Sequence, residues 1–333
     1  GKSTPAKTTT HQQNNAITHI QLDKLNAIDS LVADAIKKKA LPGCQVLIAK
    51  DNQIVFNKSY GTIAGEGTTP VSNQTYYDLA SVTKVSATVA IMKLAEEGKV
   101  DIDKTIGDYL PWVKGNPKAG ISLRDLLLHQ AGLYPYIKFY EKLLYPDGSL
   151  KKDVVSDIAK GTHQLMITPT KYLANDWMDS IQQQILRSPI TAAGKYIYSD
   201  NDFIFLGFIV EKVSGMSLHS YTSKNFYEPL GMTSTGFLPL QKTTKENIAA
   251  TELDNYFRNE LIHGTVHDEG ASTMGGIAGH AGLFSNATDL AKLYLMLLNG
   301  GQWEGKKYFN ANTVNNYTAY NSSNSRRGLG FDK

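Results

Sequence analysis

The run Val85-Ser86-Ala87-Thr88-Val89-Ala90-Ile91-Met92-Lys93-Leu94-Ala95 constrains this chain more than any other stretch. Small or apolar side chains stand on nearly every face it would present as a helix, and Lys93 is its one charge. A helix that is apolar all round has to be enclosed by other elements. The chain must therefore build a core around it, and 333 residues suffice for one large domain or two lobes. Glu96-Glu97-Gly98 closes the run, with Gly98 suited to the residue just past a helix end.

Immediately ahead of this helix stand Ser81 and Lys84. Residues at i and i+3 share a helical face, with Cβ atoms roughly 5–6 Å apart. A lysine folded back across that gap reaches the serine hydroxyl. Serine is a poor nucleophile at neutral pH without a base. Lysine serves as that base only where burial or a nearby cation favours the free amine. The four-residue pattern alone fits an N-cap and a solvated charge equally well, so its surroundings decide. A lysine that opens a buried helix favours the chemical reading.

A hydrophobic content of 41% and a charged content of 20% suit a soluble globular enzyme. The net charge of +3 comes without any basic block, which argues against nucleic acid or a membrane surface as partner. Cys44 is the single cysteine, so no internal disulfide exists, and its apolar setting predicts a core strand position. No apolar run reaches membrane-spanning length, and no signal peptide is read. Residues 1–20 are polar and read as a flexible leader or linker end, with a single domain over 21–333.

Leu22, Leu25, Ile28, Val32 and Ile36 predict an amphipathic helix ending near Lys39. Residues 45–50 and 53–60 predict strands, joined at Asp51-Asn52 as a hairpin. Ser122 reads as the N-cap of a short helix through Leu128, with Asp125 at its third position. Helices are expected over 202–213, 218–227 and 286–298, the last capped by Ser285. Early strands with a helical middle suggest an α/β sandwich plus a helical lobe.

A second constellation, Tyr198-Ser199-Asp200, precedes the 202–213 helix. A phenol beside the nucleophile can move a proton to a leaving group if a cation lowers its usual pKa of about 10. Lys84 is a candidate for that cation. The plainer alternative is a loop tyrosine followed by an Asp N-cap. His263 and His267, with Asp268 and Glu269, raise the question of a metal. Gly264 and Thr265 argue against one helix aligning both rings, and no third ligand is evident, so no metal and no cofactor are expected.

These motifs together resemble the class C β-lactamase and penicillin-binding-protein superfamily of serine hydrolases, including its esterase branch. The residues carrying the likeness are Ser81-Val82-Thr83-Lys84, the stretch from Ile121 to Leu133, Tyr198-Ser199-Asp200, and the stretch from Ala278 to Ser285. The stretch from Ile262 to Glu269 is similar to the β-lactamase-like domain fused behind family 3 glycoside hydrolases in Bacteroidetes. The resemblance implies an α/β (α+β) fold of the β-lactamase/transpeptidase type, an antiparallel sheet flanked by helices with a mostly helical lobe. It makes Ser81 the acylated nucleophile, Lys84 its base and Tyr198 a proton carrier. Asp200 stands where many relatives have Asn and would be a charge partner for Lys84. His280, between Gly279 and Ala281, is a candidate for lining the substrate cleft. Relatives carry a further His/Lys-Thr-Gly motif after a segment like Arg327-Gly328-Leu329-Gly330-Phe331, whereas this sequence ends at Lys333. The fold is therefore expected to lack its C-terminal strands.

The expected function is a serine hydrolase that forms an acyl-enzyme on an ester, amide or β-lactam. Its substrate would be a small molecule or a piece of peptidoglycan or glycan, in an exported, periplasmic or envelope setting, with a fused or neighbouring glycosidase as partner. The alternative is a non-catalytic accessory domain that keeps the fold to bind cell-wall ligands.

Overall fold

The apolar run becomes a buried helix, Lys84–Glu96, in which Ala87, Val89, Ala90, Ile91, Met92 and Leu94 have no solvent exposure. A computed structural model describes residues 20–333, so the polar leader lies outside the described residues apart from Ile20. Removing a Val, Leu, Ile or Met side chain from water contributes about 1.5–3 kcal/mol, so this one helix anchors much of the core. The Asp200–Ser214 helix packs against it, as do Leu218–Thr222 and Ala311–Thr318. Near the chain end, Thr88 Oγ1 donates to the Gly330 carbonyl at 3.2 Å, and Gly330 N–H donates to Leu127 O at 3.0 Å.

The N-terminal helix forms as Leu22–Leu25 and Ala27–Lys37, separated at Asn26. The hairpin pairs Gly43–Lys50 with Gln53–Gly61 antiparallel, in a register that sets Lys50 opposite Gln53. Its turn residues Asp51 and Asn52 have φ of 49° and 63°. Two left-handed residues match the strand twist, which is why this dipeptide makes a two-residue turn. Side chains alternate across the strands. Lys58 and Tyr60 reach Asp29 of the first helix, at 2.8 and 2.6 Å. Asn57, on the other face, donates to Thr288 Oγ1 at 3.2 Å on the Ala287–Leu298 helix. The hairpin is thus the middle layer between two helices. Among the described residues, no third strand joins this sheet.

Three features depart from the expectations. The Asp200–Ser214 helix starts two residues early, and its cap is Ser199, whose Oγ accepts the Asn201 N–H; neither aspartate caps it. The Ala287–Leu298 helix is capped by Asn286, whose side chain accepts the Asp289 N–H, because Ser285 Oγ is already paired with Thr235 Oγ1 at 2.6 Å. The middle region also carries a three-stranded antiparallel sheet of Val155–Ser156, Lys171–Ala174 and His163–Thr168, which the sequence reading did not anticipate.

Candidate active site

The site begins at a two-residue ladder. Tyr77–Asp78 pairs antiparallel with Phe284–Ser285, and Leu79 N–H donates to Leu283 O at 2.9 Å. The chain then turns through a single 3-10 turn, Ala80–Thr83, which leads directly into Lys84–Glu96. Thr83 Oγ1 accepts the Leu283 N–H at 3.0 Å and seals the turn to the same segment. Ser81 is exposed, while Lys84 is buried at 5% exposure.

Lys84 Nζ donates to Ser81 Oγ at 2.9 Å and to Asp200 Oδ1 at 2.7 Å, and lies 3.5 Å from the His280 carbonyl oxygen. The ammonium is thus enclosed by three acceptors. A buried ammonium without partners is strongly disfavoured, so Asp200 explains how a charged lysine is tolerated here. Asp200 therefore pairs with Lys84. Tyr198 brings its ring face, with the Lys84 nitrogen 4.6 Å from the ring centroid. The ring is 41% exposed, and its hydroxyl forms no hydrogen bond among the described residues. A phenol hydrogen-bonded across Ser81 is therefore not what this geometry contains; a cation–π contact is.

His280 differs from its expected place. Its ring is buried at 2% exposure, with Nε2 at 2.8 Å from Asp268 Oδ1, so only its backbone carbonyl faces the site. Gly279 permits this. A Cβ there would stand 2.0 Å from Phe203 O, so only glycine lets the loop lie on the Asp200–Ser214 helix. Burial alone would raise the Asp268 carboxyl. His280, the Ala271 N–H and Lys84 outweigh it and hold the carboxyl down to about 2. Asp200, Asp268 and His280 each offer a ligand atom within 4.8 Å of one another. The Lys84 ammonium already supplies positive charge at this cluster. His263 and His267 diverge: His263 Nε2 meets Ile248 O at 2.7 Å, and His267 Nε2 meets Glu252 at 3.1 Å.

Residues 28–332 match the family described as Beta-lactamase. The chain belongs to the β-lactamase family. It is 35% identical, over 93% of its own length and 72% of the relative's, to the Escherichia coli (strain K12) protein named "Putative D-alanyl-D-alanine carboxypeptidase". Its fold is like that of the octameric penicillin-binding protein homologue from Pyrococcus abyssi, with TM-score 0.66, 22% identity, and coverage of 92% of this chain and 64% of that one. It is also like D-alanine carboxypeptidase AmpC from Burkholderia cenocepacia, with TM-score 0.63, 17% identity, and coverage of 89% and 69%. The chain thus spans less than two thirds of the Pyrococcus chain.

This β-lactamase-family site has supports that sequence reading missed. Asp78, three residues before Ser81, accepts the Ala80 and His267 N–H groups at 2.8 and 2.7 Å. His129 is fully buried, with φ of 53° and Nδ1 at 2.6 Å from Asp202 Oδ2. Burial disfavours charge on both partners, pushing His129 down and Asp202 well up. The His129 carbonyl accepts the Ile197 N–H at 2.8 Å, and the Tyr134 carbonyl accepts from Ser199 Oγ and Asn201 Nδ2 at 2.7 and 2.6 Å. These bonds place Tyr198 and Asp200, and they give His129 a structural role. Asp268, weighed in the sequence as part of a metal pattern, proves to be the residue that fixes His280.

Proposed function

We propose that this chain is a serine acyl hydrolase acting on D-amino-acid-terminated peptides of the cell wall, or on esters and β-lactams of similar shape. The observation that carries this reading is Lys84 Nζ at 2.9 Å from the exposed Ser81 Oγ, with Asp200 at 2.7 Å behind it. To act as a base, the ammonium first releases a proton, and Asp200 is the acceptor in line for it. Ser81 Oγ then bonds to the substrate carbonyl carbon as its proton passes to the Lys84 amine. The leaving amine or alcohol takes that proton from Lys84 as its bond to the carbon breaks, which returns Lys84 to the amine, and Tyr198 is assigned to carry it. Water repeats the sequence on the acyl-enzyme, releasing the acid and restoring the Ser81 hydroxyl.

The name of the Escherichia coli relative supports the choice of D-alanyl peptides, and a cell-wall substrate fits an envelope setting. No helix among the described residues is long and apolar enough to cross a membrane. The test is a labelling gel with a fluorescent penicillin and a fluorophosphonate. Wild type should acquire a covalent label and Ser81→Ala none, with unchanged circular dichroism. Equal labelling of the two proteins rejects Ser81 as nucleophile. Absence of label on wild type, together with tight binding of a cell-wall peptide, supports a non-catalytic binding domain instead.

A further inference from the structure

Ala80 directly precedes Ser81 and has φ of 46°. A residue with a Cβ enters this left-handed region only where its surroundings hold it there. Here the holding group is Asp78. Oδ1 accepts the Ala80 N–H at 2.8 Å, and Oδ2 accepts the N–H of His267 at 2.7 Å. Asp78 itself is fixed in the ladder opposite Phe284. One carboxylate therefore ties the nucleophile turn to the loop that supplies Asp268, the partner of His280. Among the described residues, Asp78 makes no hydrogen bond to Ser81 or Lys84, so any effect on them passes through the backbone.

We propose that Asp78 is a positioning residue: it holds Ala80 left-handed and thereby fixes Ser81 Oγ against Lys84. This rests on reading Ser81 as the nucleophile. Glycine at this position would reach the same φ unaided but would leave the turn freer to move. Alanine with a carboxylate clamp gives one conformation and little else.

The experiment is a double-mutant cycle on the full chain, read as the rate of fluorophosphonate labelling. Asp78→Ala should label about tenfold more slowly than wild type, the size expected when one positioning contact is lost from the barrier. In an Ala80→Gly background the same change should cost less than about threefold, because glycine no longer needs the clamp. Asp78→Asn keeps the volume but only one acceptor oxygen, so it should fall between wild type and Asp78→Ala. It also carries the comparison if Asp78→Ala does not fold. An equal loss in both backgrounds overturns the proposal, as does an Asp78 variant that labels at the wild-type rate. If wild type takes no label, the hydrolase reading fails by itself and hydrogen exchange decides on Asp78. Ala80 and His267 amides should then exchange about tenfold faster in the Asp78 variant, the worth of one hydrogen bond each. Unchanged exchange at both overturns the assignment.

Discussion

Two carboxylates stand close together at this site and have different tasks. Asp200 hydrogen-bonds Lys84 directly, whereas Asp268 bonds the His280 ring and feels the lysine charge across space. In the proposed mechanism Asp200 takes the Lys84 proton, so Asp200→Asn should slow labelling by about tenfold or more. Labelling of Asp200→Asn at the wild-type rate rejects this coupling. Asp268 is held down to about 2, so its contribution to stability is full above the ordinary carboxylate range and is lost as pH falls through about 2. Between about pH 5 and pH 2, wild type should lose about 2 kcal/mol more stability than Asp268→Asn. Urea unfolding at the two pH values measures this, and parallel losses rule it out. Of these residues, Ser81, Lys84, Tyr198 and Asp200 were legible because two short motifs contain them. Asp78 and Asp268 were not, since each also makes an ordinary local turn or cap bond, and the partners that tie them to the site, the His267 N–H and the His280 ring, lie outside their own turns.

Among the elements, those with strong local chemistry were readable. The Asp51-Asn52 turn specified its hairpin, and Ser122 caps Leu123–Leu127 by accepting the Asp125 N–H. The strand pair Tyr77–Asp78 and Phe284–Ser285 was invisible, because two residues carry no period. His163–Thr168 and Lys171–Ala174 escaped for a related reason: Ile167, Thr168 and Leu173 are buried, so the alternation of a half-exposed strand is broken. Exchanging one cap for another was a smaller error with a measurable consequence. Asn286→Ala should cost about 1 kcal/mol through loss of the cap on Ala287–Leu298, with labelling retained. A change under about 0.3 kcal/mol in chemical unfolding rejects that role. Gly279→Ala should be worse on both counts, since its Cβ collides with Phe203 O. We expect a loss of about 1–3 kcal/mol, together with slower labelling as the His280 carbonyl is driven off Lys84. Full labelling in that variant separates the loop from the site.

Across the whole molecule, the all-apolar helix with Ser81 at its entrance required an enclosing core, while the fold type came from the family resemblance carried by several spaced motifs. The closing contacts are a matter of distance along the chain. Lys84 meets Asp200 across 116 positions, and Thr83 meets Leu283 across 200. This spacing gives the serine a history during synthesis. At about 5–20 residues per second, roughly 10–40 s pass between emergence of the nucleophile turn and arrival of the segment that seals it. Throughout that interval the hydroxyl is exposed on a growing chain, yet Asp200, the His280 carbonyl and the Leu283 amide are not all in place to complete its surroundings. Ribosome-bound chains that stop before Leu283 should therefore ignore acylating probes that mark the released protein. On the proposed reading of Ser81, labelling would then certify completed folding, acquired only after Leu283 has docked.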